Sequence, residues 1–191
     1  MKKTKLVLFA SGGGSNAVKI IDHFTNHSNI EVISIFCNNP SAGILAKAKD
    51  LKIDTKLFTR EEYKNGGVLK ALQELDTDFI ALAGFLWLVP SEIVKAFDGK
   101  ILNIHPALLP NYGGKGMYGM NVHTAVFENK DKESGITIHE VNERYDEGEY
   151  VFQAKVDVSS CKSPQEIASA VLAIEHQNFP SVIEEFIQNK A

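Results

Sequence analysis

Through the first half of the chain, short apolar runs rich in β-branched and aromatic residues alternate with segments whose apolar positions recur at helical spacing. The apolar runs predict strands over Lys5–Ala10, Glu31–Cys37, Thr55–Phe58, Asp78–Ala83 and Lys100–Ile104. Between them, Ala17–His27 sets Val18, Ile21 and Phe24 on one helical face, Gly43–Leu51 does so with Ile44, Ala48 and Leu51, and Glu61–Leu75 with Val68, Leu72 and Leu75. Such alternation is what βαβ units produce, so the expectation is an α/β fold with a mostly parallel sheet and flanking helices.

After Gly135 the pattern changes. Ile136–Val141 and Tyr150–Val158 are extended runs separated by the polar stretch Asn142–Glu149, which reads as a strand pair with a substantial loop and ends the sheet in mixed orientation. Ser163-Pro164-Gln165-Glu166 combines an N-cap serine, proline at the first helical position and the reciprocal glutamate of a capping box. A long C-terminal helix follows, expected to bend or break near Pro180. The segment Pro110–Asn121 carries glycines at 113, 114, 116 and 119 and reads as a mobile surface loop.

Composition adds boundaries to this picture. With 191 residues, 44% hydrophobic and 23% charged, the chain reads as one globular domain over 1–191. A domain of this size buries roughly 70% of its unfolded surface, enough for a core without staples. Lys plus Arg is 20 against 24 Asp plus Glu, a net charge of −4, which offers no basic field for a nucleic acid. Met1–Lys5 followed by Leu6–Ala10 imitates a secretory signal. Its apolar part is shorter than the about 7–15 residues of a signal or the about 20 of a membrane span, so it reads as a buried strand of a cytoplasmic protein. Cys37 and Cys161 lack metal-ligand spacing and are expected to be reduced core residues.

Two places could carry chemistry. Ser11-Gly12-Gly13-Gly14-Ser15-Asn16 joins the first strand to the first helix, where free backbone N–H groups and the helix dipole can face an anion such as a phosphate. It is neither GxGxxG nor a P-loop, and a tight turn capped by Ser15 or Asn16 explains it equally well. Asn103 and His105 stand two apart on a strand that Pro106 ends, so both project to one face at the carboxyl edge of the sheet. An amide donor beside an imidazole suits a carbonyl oxygen whose charge grows during acyl transfer; a mutually satisfied Asn–His pair is the plainer alternative.

Asn103-Ile104-His105-Pro106-Ala107-Leu108-Leu109-Pro110 resembles the N-I-H-P-[SA]-L-L-P signature of the phosphoribosylglycinamide formyltransferase family, and a related run marks methionyl-tRNA formyltransferases. Ser11–Asn16 looks like that family's S-G-x-G-S-N phosphate loop, and Leu82-Ala83-Gly84-Phe85 like its L-A-G-[FY] strand end. Gly135-Ile136-Thr137-Ile138-His139, Tyr145-Asp146-Glu147-Gly148, Gln153-Ala154 and Glu175-His176 resemble further stretches in the same order.

The resemblance implies a single-domain Rossmann-like formyltransferase fold with antiparallel C-terminal strands. It implies transfer of the formyl group of 10-formyltetrahydrofolate to glycinamide ribonucleotide in purine biosynthesis, with no metal and no ATP. Asn103, His105 and Asp146 match the catalytic positions, and Gly14, Ser15, Asn16 and Glu175 the ribonucleotide-binding ones. Arg60, Leu86, Trp87, Leu88, Val89, Asn103, Asn142, Glu143, Arg144, Tyr145 and Asp146 match positions bordering the folate. Taken by itself, Asp146 could equally cap a turn, and His139 reads as a core histidine satisfied by backbone. Trp87 stands where many members carry a smaller or cationic residue, and Asn111–Asn121 is longer and richer in glycine than the common form. The expected partners are the two small substrates, with neither nucleic acid nor membrane, in a monomer or homodimer. Two other readings are weighed: a catalytically silent phosphosugar-binding module, against which Asn103, His105 and Asp146 together argue, and a tRNA formyltransferase, which the negative charge disfavours.

Overall fold

The computed structural model describes residues 2–190. Seven strands form one sheet: β1 (Thr4–Ala10), β2 (Ile30–Cys37), β3 (Asp54–Leu57), β4 (Phe79–Leu82), β5 (Ile101–His105), β6 (Glu133–Glu140) and β7 (Tyr150–Asp157), in the order β3-β2-β1-β4-β5-β6-β7. The first five are mutually parallel, β6 pairs antiparallel with β5 and β7 antiparallel with β6, so the sheet is mixed only toward its C-terminal side. From β1 the chain builds outward to β3, then returns to add β4 and β5 on the other side of β1. The carboxyl edge between β1 and β4 is thus the topological switch point, where the loops diverge and leave a crevice.

Side-chain alternation along β1 divides the core. Leu6, Leu8 and Ala10 face α1 (Ser15–Phe24), α2 (Ile44–Asp50) and α7 (Pro164–Lys190), whereas Val7 and Phe9 face α3 (Arg60–Lys64), α4 (Gly67–Glu74) and α5 (Ser91–Ala96). The remaining helix, α6 (Met120–Glu128), follows the glycine-rich loop. Among the described residues no helix is long and apolar enough to cross a membrane.

Three expectations need correction. The single helix over Glu61–Leu75 is two, because Gly66 takes φ 86° between α3 and α4. The left-handed conformation costs glycine little and ends the first helix there. Pro180 does not break α7, which runs for 27 residues through it. Phe179, Val182, Ile183, Phe186 and Ile187 are buried around the proline. At about 1.5–3 kcal/mol for each buried apolar side chain, their packing outweighs the roughly 3 kcal/mol cost of an internal proline. The capping box at Ser163 is displaced: Ser163 Oγ accepts from Glu166 N at 3.3 Å, but Glu166 Oε2 accepts from Lys162 N at 2.8 Å, one residue earlier.

Candidate active site

The crevice at the switch point is a cavity of about 750 Å³. Its floor is the end of β5. Asn103 lies opposite His139 in the β5–β6 register, with Asn103 Nδ2 3.1 Å from His139 Nε2. His139 Nδ1 sits 2.8 Å from the Glu140 carbonyl, which requires a proton on Nδ1. In the tautomer that leaves Nε2 without a proton, His139 accepts there from Asn103 Nδ2, which sets the way the amide faces and leaves its second N–H uncommitted. The plain reading of His139 as satisfied by backbone accounts for only one of its nitrogens.

His105 is buried and held from both sides. Its Nε2 donates to the Tyr112 carbonyl at 2.7 Å, and its Nδ1 lies 3.5 Å from Asp146 Oδ1. Burial pushes the imidazole below the usual histidine range, against the pull of Asp146 and the Tyr112 carbonyl toward the charged form. A proton reaching Nδ1 thus meets a carboxylate already in place. Asp146 sits in the β6–β7 connection at φ 56°, with Oδ1 3.6 Å from His139 Nε2 and Oδ2 accepting from Gly114 N at 2.9 Å. Burial raises its carboxyl, but His139, His105 and the Gly114 N–H together outweigh this and keep it below the ordinary carboxylate range.

Residues on β6 and β7 hold the turn after His105. Thr137 Oγ1 donates to the Ala107 carbonyl at 2.7 Å and accepts from Leu109 N at 3.0 Å, while Gln153 Nε2 donates to the Leu109 carbonyl at 3.0 Å. The threonine of G-I-T-I-H and the glutamine of Q-A thereby fix where His105 leaves its strand.

At one end of the cavity the loop after β1 forms a cradle. Neither Ser15 nor Asn16 caps α1; the N-cap is Gly14 at φ 68°, with no side-chain cap bond. The loop carbonyls are occupied instead, by Asn39 Nδ2 on Ser11, Ile44 N on Gly12 and Lys47 Nζ on Gly13. The first-turn N–H groups have no side-chain partner and border the cavity. Asn16 Nδ2 donates to Glu175 Oε2 at 2.6 Å, and burial pushes the Glu175 carboxyl up despite that bond.

The other end is apolar and aromatic, built by the loop after β4. Leu86, Trp87, Leu88 and Val89 line it, together with Arg60, Arg144 and Tyr145. Asn142 and Glu143 do not. Asn142 Oδ1 accepts from Arg144 N at 2.8 Å in a local turn and Glu143 pairs with Lys95 at 3.5 Å, so both belong to a shallow depression outside the cavity. The glycine-rich segment closes the third side, with Gly114–Met120 in the wall. It is anchored through Tyr112, whose hydroxyl bonds Asp131 and Asn129. His123 on α6 also faces the cavity, which no motif signalled.

Residues 4–183 match the family model described as formyl transferase. The chain is 41% identical over 189 residues to a chloroplastic phosphoribosylglycinamide formyltransferase of Arabidopsis thaliana, covering 95% of this chain and 65% of that one. It is 34% identical to the phosphoribosylglycinamide formyltransferase of Haemophilus influenzae, covering 97% and 88% of the two chains. The solved phosphoribosylglycinamide formyltransferase of Anaplasma phagocytophilum superposes with a TM-score of 0.89 at 30% identity, over 99% of this chain and 89% of that one. The chain thus spans slightly less than two thirds of the plant relative and nearly all of the bacterial one. It belongs to the formyl transferase family, among the phosphoribosylglycinamide formyltransferases.

Proposed function

We propose that this chain transfers the formyl group of 10-formyltetrahydrofolate to the amine of glycinamide ribonucleotide, giving formylglycinamide ribonucleotide and tetrahydrofolate in purine biosynthesis. The observation that carries the reading is the meeting of Asn103, His105 and Asp146 between a backbone N–H cradle and an apolar wall. A phosphate suits the first-turn N–H groups of Gly14, Ser15 and Asn16, and Glu175 beside them suits ribose hydroxyls. A flat folate suits the wall of Leu86, Trp87, Leu88 and Val89, with Arg60, Arg144 and Tyr145 at its border.

Attack of the amine on the formyl carbon forms a C–N bond and puts negative charge on the formyl oxygen. The free Asn103 N–H meets that charge, a preorganised donor whose value is greatest in a cavity that excludes water, and His105 beside it takes up a proton at Nδ1, where the Asp146 carboxylate stands ready to stabilise the charged ring. The amine must lose a proton and folate N10 must gain one before the C–N10 bond breaks. Asp146, facing both His105 and His139, is the base through which that proton passes. The formyl group moves from one nitrogen to another, so the reaction calls on neither ATP nor a metal. The cytoplasm is the proposed location; the name of the Arabidopsis relative places that protein in the chloroplast.

Alanine at Asn103, His105 or Asp146 tests the reading. Each is expected to lower kcat by about 10²–10³, the usual loss for an oxyanion donor, with the fold retained and double replacements less than additive. Near-wild-type turnover in folded Asn103→Ala and His105→Ala variants contradicts it.

A further inference from the structure

Arg60 opens α3 at a position fixed by its neighbours. Thr59 Oγ1 accepts from Glu62 N at 3.2 Å, and Glu62 Oε2 accepts from Thr59 N at 2.7 Å, so a reciprocal capping box sets the first turn. The Arg60 guanidinium carbon lies 5.2 Å from the centre of the Trp87 ring. Trp87 is in turn wedged in an aromatic cluster, its centroid 5.7 Å from Tyr63, 6.1 Å from Phe58 and 6.3 Å from Phe85. Three cationic side chains line the cavity: Arg60, Lys115 and Arg144. Arg144 is paired with Glu147 at 3.1 Å, whereas no carboxylate among the described residues pairs with Arg60.

A guanidinium held over an indole ring by a cation–π contact keeps N–H groups open to grip a carboxylate. An exposed arginine on its own must give up much rotamer freedom to make that grip; one held over an aromatic ring has less to lose. The folate donor is a flat ring system that ends in a glutamate, so it carries carboxylates at the end remote from the reacting formyl group. From this we infer that Trp87 is a positioning residue for donor recognition, holding Arg60 over the apolar wall so that its free edge meets the glutamate carboxylate. The inference rests on the folate reading above. It gives the departure at Trp87 a role: an aromatic platform that orients the neighbouring arginine.

The test compares two ligands, a 10-formyl folate analogue and the same compound without its glutamate, titrated into wild type, Trp87→Leu and Trp87→Phe. Trp87 is the sole tryptophan of the chain, so quenching of its emission reports binding in wild type, and calorimetry serves all three. In wild type the glutamate-bearing ligand binds more tightly. Trp87→Leu is expected to weaken it about three- to fivefold more than it weakens the truncated ligand, the scale of an exposed cation–π contact. Trp87→Phe, which keeps an aromatic face, restores most of that difference, and in an Arg60→Gln background Trp87→Leu adds nothing to it. Continued binding of the truncated ligand shows that each variant is folded. Equal losses for both ligands, or none, overturn the positioning role. Failure of wild type to bind either ligand overturns the folate reading instead.

Discussion

Gly114 donates its backbone N–H to Asp146 Oδ2 over 2.9 Å, so the glycine-rich segment and the carboxylate beside His105 form one hydrogen-bonded unit. The segment is joined a second time where His105 donates to the Tyr112 carbonyl. Gly114 sits at φ 92° with open space where a Cβ would be, so alanine meets no clash but only backbone strain. Gly114→Ala is therefore expected to cost roughly 1–2 kcal/mol of backbone strain, to lower Tm by a few degrees and to lower kcat well beyond that loss of folded protein. Kinetics alongside thermal melts check this.

The cradle after β1 separates two kinds of glycine. A Cβ on Gly13 meets nothing within 4 Å, whereas one on Gly14, at φ 68°, runs into the Ile44 side chain. Gly13→Val is expected to fold normally and to raise KM for the ribonucleotide at least about tenfold, since it fills the space proposed for the phosphate and each 1.4 kcal/mol is tenfold. Gly14→Val is expected to lower Tm and to weaken both substrates together. The reverse pattern contradicts the assignment of the cradle.

His139 acts on the substrate oxygen through Asn103 if the amide orientation matters. His139→Ala then lowers kcat toward the value of Asn103→Ala, and the double variant is no worse than Asn103→Ala alone. Stopped-flow measurement of the chemical step separates this from effects on product release. Additive losses place His139 outside the amide's function.

Burial pushes His105 and His123 below the ordinary histidine range, with the charge of His105 adding to the effect at His123. Below about pH 6.5 an unfolded histidine binds a proton. The folded rings do not, so protons favour the unfolded chain, and these groups lower stability as pH falls from about 7 until their folded pKa values are passed. His123 Nδ1 is buried without a partner, so His123→Gln removes one titrating group without breaking a bond at that atom. The drop in Tm between pH 7.5 and 5.5 is expected to be smaller in the variant than in wild type. An unchanged slope contradicts the burial argument.

Much of this was legible in the sequence, because hydrophobic periodicity reports which positions face a core. The seven strands are where the apolar runs put them, and Asn103 and His105 sit at the carboxyl edge as their spacing implied. Long-range packing is what the pattern does not carry. Pro180 reads locally as a break and is overridden by five buried neighbours, and Gly66 within an apolar helical pattern hides the turn that separates α3 from α4. At the site, Asn142 and Glu143 follow a motif in sequence but point away, one captured by a local turn and the other by Lys95. His123 became visible only when α6 was set beside β5, and the contact of His139 with Asn103 only when β6 was; the sequence showed His139 but not what its Nε2 faces.

The most direct measurement of the central claim is product analysis. Purified protein is incubated with glycinamide ribonucleotide and 10-formyltetrahydrofolate carrying a ¹³C formyl group, with neither ATP nor added metal, and the ribonucleotide is followed by mass spectrometry. The expected result is a ribonucleotide heavier by one labelled formyl group, formed in step with tetrahydrofolate and formed about 10²–10³ times more slowly by the Asn103→Ala variant. Unmodified ribonucleotide in the presence of folded protein and intact donor, or labelled formate released in its place, contradicts the account.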